Sequence, residues 1–205
     1  MKVAVVGGTG KFGRPLARRL VEAGDEVVVG SRDAQKAADA AAEIGAMGGR
    51  NESAVGGADL VVLAVMAEAA LETARQLRSL LSSPVLSVAS ELEFAGGTAR
   101  PVPEARSLAE RISEIVDVPV IAGLHSIAAR TLAGDALPDE DALVCGNDVA
   151  AKALGLELAG KVVAGRAIDA GPLQVARALE GLTAVIVNVN RRYKAHAGIR
   201  VTGLP

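Results

Sequence analysis

The first ninety residues alternate between short apolar runs and longer stretches in which apolar residues recur every three or four positions. Residues 2–6, Lys-Val-Ala-Val-Val, predict a buried strand. Over 11–23, Phe12, Leu16, Ala17, Leu20 and Val21 share one helical face, and Pro15 sits in the first turn, where its missing N–H does least harm. A second strand is expected over 26–29 and an Ala-rich helix over 33–44, broken by Gly45, Gly48 and Gly49. Strands over 60–65 and 84–88 flank a helix over 68–81. Near-continuous Val and Leu strands alternating with helices predict a parallel sheet covered on both faces, the Rossmann-type doubly wound α/β architecture.

Beyond residue 90 the pattern loosens. Residues 91–103 read as a mobile surface loop, and the polar, Gly-rich stretch 45–58 gives no readable path. Helix is expected over 104–116, strand over 118–124 and a short helical turn over 126–132. A strand over 142–145, a helix over 148–158 and a strand over 162–168 follow. The last helix, over 175–189, carries Leu179, Leu182, Ala184, Val185, Ile186, Val187 and Val189. It is apolar on nearly every face, which suits a core or an interface between two copies of the chain. No internal repeat or low-complexity linker divides the sequence.

The first strand ends in Gly7-Gly8-Thr9-Gly10-Lys11-Phe12-Gly13, and a helix pattern starts at once. A strand turning sharply into a helix N-terminus is what a phosphate needs. Backbone N–H groups converge there, the helix dipole favours anions, and missing side chains allow close approach. Such a glycine motif acquires meaning from a strand before it, a helix after it and a ribose-reading position about 20 residues on. All three are present, so Gly8, Thr9, Gly10, Lys11, Phe12 and Gly13 are expected to line a dinucleotide turn.

At the ribose-reading position stands Gly30-Ser31-Arg32, with no carboxylate before Asp33. An Asp or Glu there would bind a ribose 2′-hydroxyl. A hydroxyl, a guanidinium and Lys36 one helical turn later instead form an anion-binding cluster, because Arg grips phosphate through two parallel N–H bonds and Lys adds a point charge. Ser31, Arg32 and Lys36 therefore favour NADP over NAD.

Composition narrows the alternatives. Half of the 205 residues are hydrophobic, but the chain has no Trp, one Tyr and two Phe, so the core and any pocket must be aliphatic. The net charge of −2 gives no electrostatic case for nucleic acid. One cysteine, Cys145, permits no intrachain disulfide, and with only His125 and His196 besides it no metal centre is expected. Cys145 reads as buried and inert, His196 as exposed, and Asp169 as ordering the turn before Gly171-Pro172. No apolar run reaches about 18 residues, and cleavage of the first strand as a signal would destroy the glycine turn. The expected location is cytoplasmic.

Gly123-Leu124-His125-Ser126-Ile127-Ala128-Ala129-Arg130, then Val144-Cys145-Gly146-Asn147-Asp148, Ile168-Asp169-Ala170-Gly171-Pro172-Leu173 and Ala178-Leu179-Glu180-Gly181-Leu182-Thr183-Ala184 follow the two nucleotide motifs in order. Together they make the chain, from residue 1 to about 190, resemble the NADPH-dependent F420 reductases. The resemblance implies a Rossmann domain over 1–122 that binds NADP(H). A smaller C-terminal α/β portion over 123–205 would close over the cleft, and the apolar last helix within it suggests a homodimer buried along 175–189. Coenzyme F420, an 8-hydroxy-5-deazaflavin, would lie against the nicotinamide, and hydride would pass directly between the two rings. Thr9, Gly10, Lys11 and Phe12 would line the pyrophosphate, and Ser31, Arg32 and Lys36 would hold the 2′-phosphate. Ala129 would touch NADP, and His125 and Ile127 the deazaflavin. The family tends to have a proline-containing loop where this chain reads Ser87-Val88-Ala89-Ser90-Glu91-Leu92-Glu93-Phe94, and a proline at Ala128.

Hydride transfer between two cofactors leaves position, dryness and electrostatics to the protein. No catalytic acid or base is therefore expected, with His125 positional at most. An atypical short-chain dehydrogenase would need Lys four residues after its Tyr, and Tyr193 is followed there by Ala197. A reductase of a flavin, imine or small carbonyl compound on the same fold, and a non-catalytic NADP-sensing module, are the remaining readings.

Overall fold

A computed structural model describes residues 1–204. Its strands are β1 (Lys2–Val6), β2 (Glu26–Ser31), β3 (Met47–Arg50), β4 (Leu60–Leu63), β5 (Val85–Ser87), β6 (Leu92–Ala95), β7 (Thr98–Pro101), β8 (Val120–Gly123), β9 (Ala142–Gly146) and β10 (Ala167–Asp169). The helices are α1 (Gly13–Glu22), α2 (Ala34–Ala42), α3 (Asn51–Ala54), α4 (Ala67–Leu77), α5 (Leu108–Ser113), α6 (Ala129–Leu132), α7 (Val149–Val162) and α8 (Ala176–Tyr193). Eight strands form one sheet in the order β3-β2-β1-β4-β5-β8-β9-β10, while β6 and β7 pair only with each other. The order 3-2-1-4-5 followed by a sixth strand is the doubly wound pattern, whose direction of winding reverses between β1 and β4.

Successive residues of a strand point to opposite faces, and β1 divides accordingly. Val3 and Val5 join Leu16 and Leu20 of α1, Ala37 of α2 and Leu158 of α7 in one core layer. Ala4 and Val6 join Ala70 and Leu77 of α4, Leu108 and Ile112 of α5 and Leu179 of α8 in the other. The three layers leave the carboxyl ends of β1, β4 and β5 open at one edge. Among the described residues no helix is long and apolar enough to cross a membrane.

Five sequence expectations need correction. Residues 45–58 contain the edge strand β3 and the single-turn α3. Residues 91–103 are not a loop but hold the β6–β7 hairpin, turned by Gly96 and Gly97 at φ of 56° and 78°. Such two-residue turns match the twist of the flanking strands. Residues 162–168 are largely helix end and connection, because α7 runs on to Val162 and β10 begins only at Ala167. The sheet is not wholly parallel either: β9 runs antiparallel to β8. The sheet continues past residue 122, since β8 pairs with β5 on one side and with β9 on the other. Finally, α8 extends to Tyr193 and is not apolar all round; it buries Glu180, whose carboxylate accepts from the Leu108 N–H at 2.7 Å.

One buried cation ties α1 to a segment more than a hundred residues later in the chain. Arg19 of α1 donates to the carbonyls of Leu132, Gly134, Asp135 and Ala136 at 2.6–3.2 Å. Hydrogen bonds from a charged donor are the stronger kind, and four of them fix the segment after α6 against α1.

Candidate active site

At the carboxyl end of β1 the chain makes the glycine turn. Gly7 has φ of +80°, and its N–H and that of Gly8 both donate to the Gly30 carbonyl at 3.0 Å. Gly10 donates to the Gly7 carbonyl and so offers no free donor, and a Cβ there would press on that same carbonyl oxygen. A Cβ on Gly13 would collide with the Gly7 carbonyl oxygen, which is why only glycine lets α1 start this close to β1. The N–H groups of Thr9, Lys11 and Phe12 donate to nothing among the described residues. Helix α1 has Phe12 at its N-cap, no side-chain cap and no acid in its first turn. By contrast Asp33, Ser107 and Asp148 cap α2, α5 and α7 with their side chains. Of these four N-termini, only that of α1 keeps its donors and its positive dipole end free for an anion.

Beside the turn, Ser31 is buried at the end of β2, and its Oγ lies 3.5 Å from Thr9 Oγ1 and accepts from the Asp33 N–H. Arg32 is exposed and makes no ion pair or hydrogen bond among the described residues. Lys36 is also exposed and sits 3.8 Å from Asp33, a weak surface pair. The parallel register places Arg50 of β3 beside Ser31, with Glu52 3.5 Å from its guanidinium. Sequence reasoning missed Arg50, since it lies in the stretch whose path was unreadable.

Phe12 reaches from the turn into a cavity of about 220 Å³ that it shares with Ala64, Val65, Val88, Ala89, Ser90, Leu92, Leu124, His125, Ile127 and Thr183. The structure thus brings Phe12, His125 and Ile127 together, whereas Ser31, Arg32 and Lys36 lie outside this cavity at the β2–α2 end. Ala129 stands at the first position of α6, half-buried. The wall residues Ser90, Leu92 and Thr183 carried no assigned role in the sequence. The one available signal was a hydroxyl inside the apolar run of the last helix.

Leu124 adopts the left-handed conformation at φ of +64°, unusual for a residue with a side chain. This turns the chain sharply after β8 and sends His125 into the cavity. The Thr183 hydroxyl donates to the His125 carbonyl at 2.8 Å; its hydrogen being used there, the Ser90 hydroxyl 2.7 Å away donates to Thr183. A chain of two hydroxyls therefore joins the segment after β5, helix α8 and the turn after β8. The His125 side chain is 6 % exposed, and neither ring nitrogen has a hydrogen-bond partner of good geometry. Burial pulls its pKa down to about 4, opposed only weakly by the nearby Ala89 backbone. A neutral imidazole at the cavity wall, with both nitrogens buried and unpartnered, is a costly arrangement for a core residue, which a small shift of the ring toward a ligand with polar ring substituents would relieve.

The remaining candidates fall elsewhere. Glu91 does not line the cavity, because its carboxylate pairs with Arg111 at 2.5 Å, and Glu93 is exposed opposite Arg100 in the hairpin register. The carboxylates of the proline-free loop are thereby kept away from the cavity. Cys145 is buried, its thiol pushed up to about 12 by burial. Asp169 accepts from the Gly171 N–H at 2.8 Å and orders that turn, and His196 is exposed.

A family model described as "NADP oxidoreductase coenzyme F420-dependent" matches residues 2–91. The F420-dependent NADP reductase of Methanothermobacter thermautotrophicus is 36 % identical in an alignment covering all of this chain and 96 % of that protein. The enzyme of the same name from Methanocaldococcus jannaschii is 33 % identical over all of this chain and 99 % of its own. Among solved structures, one from Arthrobacter sp. FB24, provisionally titled an F420-dependent NADP-reductase, superposes with a TM-score of 0.85. It is 26 % identical, covering 99 % of this chain and all of that one. The imine reductase of Streptomyces aurantiacus, 22 % identical with a TM-score of 0.61 over 95 % of this chain and 62 % of its own, shares the fold. The glycine turn, the cavity beside it and these full-length relatives agree: the chain belongs to the F420-dependent NADP reductase family.

Proposed function

We propose that this protein is an oxidoreductase that transfers a hydride between NADP(H) and the deazaflavin coenzyme F420. The observation that carries the reading is the pairing of an uncapped helix N-terminus with an adjoining apolar cavity that holds an unpartnered, neutral imidazole. When both cofactors are bound, the redox chemistry belongs to their rings, and the protein's task is to hold them at contact distance in a dry site.

The residues divide that task. Gly8, Gly10 and Gly13 let the turn and α1 pack tightly, since a Cβ on each would press on backbone of β1 or of the turn itself, and the N–H groups of Thr9, Lys11 and Phe12 donate to the pyrophosphate. Ser31, Arg32 and Lys36 bind the 2′-phosphate, and Ala129 closes on the nucleotide from the C-terminal portion. Phe12 and Ile127 pack against the ring systems, and His125 offers a nitrogen to the deazaflavin. No side chain here is asked to move a proton. Residues 123–205 serve as the part that completes the second-substrate side, although they continue the same sheet. A cytoplasmic location suits an enzyme acting on the NADPH pool.

Mixing the protein with NADPH and oxidised F420 tests this directly. The deazaflavin absorbance is expected to bleach at substoichiometric enzyme; tight NADPH binding without bleaching would refute the assignment of F420. We further propose a homodimer built along α8. Its exposed Val185, Val189 and Tyr193 recur at four-residue spacing on one face. A monomeric mass in light scattering at micromolar concentration would exclude it.

A further inference from the structure

The β6–β7 hairpin stands outside the main sheet, and an isolated two-stranded hairpin is marginally stable in water. Something must hold it. Its register pairs Phe94 with Ala99 one step from the Ala95–Thr98 turn pair. In a two-residue hairpin this is the non-hydrogen-bonded pair, so the N–H and C=O of Ala99 point away from β6. Asn188 of α8 supplies both missing partners: its Oδ1 accepts from the Ala99 N–H and its Nδ2 donates to the Ala99 carbonyl, each at 2.8 Å. One side-chain amide thus does for β7 what a neighbouring strand would do, and Ala99 is 2 % exposed. Other contacts of the helix reinforce this one: Arg191 donates to the Gly97 carbonyl and lies 5.2 Å over the Phe94 ring, and Arg177 donates to the Val102 carbonyl.

The base of the hairpin is also the cavity wall. Ser90 and Leu92 line the cavity, and Leu92 is the first residue of β6. The nucleotide turn borders the same cavity only through Phe12, while its phosphate-facing N–H groups belong to a separate stretch of chain. We propose that Asn188 is a positioning residue for the second substrate: by clamping Ala99 it fixes the hairpin, and through it Ser90 and Leu92, against the deazaflavin ring. The proposal rests on the functional reading above and adds a residue without contact to either cofactor.

Asn188→Ala tests it with three readouts. The KM for F420 should rise on the order of tenfold, as two lost hydrogen bonds allow, while the KM for NADPH stays within about twofold. Amide hydrogen exchange should accelerate at Ala99 and its hairpin neighbours and stay unchanged in β1 and α1. Asn188→Asp, which keeps the acceptor for the Ala99 N–H and loses the donor, should fall between wild type and Asn188→Ala. Equal rises in both KM values would mark a general loss of structure and overturn the proposal. So would unchanged exchange at Ala99, or a loosened hairpin with unchanged KM for F420. Should Asn188→Ala fail to fold, wild-type exchange with and without oxidised F420 decides: the Ala99 amide must gain protection on binding, and no gain refutes the clamp. Absence of any F420 binding or turnover by the wild type would instead refute the functional reading, while the exchange difference between wild type and Asn188→Asp would still show whether the clamp exists.

Discussion

The nucleotide side of the cleft is one continuous piece of chain, Gly7 to Gly13, with Ser31 and Arg32 one helix further on. The opposite side draws on the segment after β5, the turn after β8 and helix α8, and its hydroxyl link joins residues 93 positions apart. The first side is made of backbone: free N–H groups, an uncapped helix and glycines where a Cβ would collide. The second is made of side chains whose proximity exists only in the folded molecule, held by Thr183 and by the strained turn at Leu124. Charge recognition can be local, because a helix terminus gathers its donors within a few residues. A cavity for a flat ring cannot, because its walls must come from several directions.

Separating the two sides by mutation is the sharpest use of this contrast, and the largest effect is expected at Arg32. Arg32→Ala removes a charge-assisted hydrogen bond worth roughly 1.5–3 kcal/mol, so NADPH affinity should fall about ten- to a hundredfold. NADH, which lacks the 2′-phosphate, should bind almost as before, and so should F420. Titration calorimetry with the two nucleotides reads both numbers. Equal losses for NADPH and NADH would place the 2′-phosphate elsewhere, with Arg50 beside Ser31 as the next cation to examine.

The same contrast explains what could be read from the residues alone. β1 and α1 were legible because apolar periodicity, glycine spacing and Pro15 all agree over 2–23, and the turn between them is local. The edge strand β3 was not, because Met-Gly-Gly-Arg carries no apolar alternation. Gly48 is there because a Cβ would collide with the Ala37 carbonyl of α2, a reason visible only once the two elements are in contact. The hairpin had its Gly96-Gly97 turn in plain view, yet Glu93, Thr98 and Arg100 gave its strands too polar a pattern to read as strands. The direction of β9 leaves no trace in periodicity at all. The end of α7 and the start of β10 were blurred because Val162 and Val163 suit either element. In the site, His125 and Ile127 were found through resemblance. Ser90, Leu92 and Thr183 gain their place at the cavity from tertiary contacts that spacing does not encode.

A smaller effect, but one of opposite sign on two observables, is expected at His125. With both ring nitrogens unpartnered and buried, the imidazole costs stability in the absence of a ligand. His125→Leu fills similar space without polar atoms, so thermal or denaturant unfolding at pH 7 should show a gain of about 1 kcal/mol. The KM for F420 should rise roughly tenfold for one lost hydrogen bond, and the Kd for NADPH should not change. Acid makes the stability gap wider. The folded protein holds His125 neutral down to about pH 4, while the unfolded chain takes up the proton near 6.5. Between these values the unfolded state binds more protons, so the wild type loses stability as pH falls. At about 1.4 kcal/mol per tenfold change in proton affinity, the loss from this group amounts to roughly 3 kcal/mol by pH 4. Glu140 and Glu180, both raised to about 7 by burial, work in the opposite sense over the same range, stabilising the fold as they take up protons. The total curve therefore mixes three groups, but the difference between wild type and His125→Leu isolates one. That difference should be flat above pH 7 and grow steadily below 6.5. A difference independent of pH would mean that the imidazole titrates normally, and that the cavity around it is open to water.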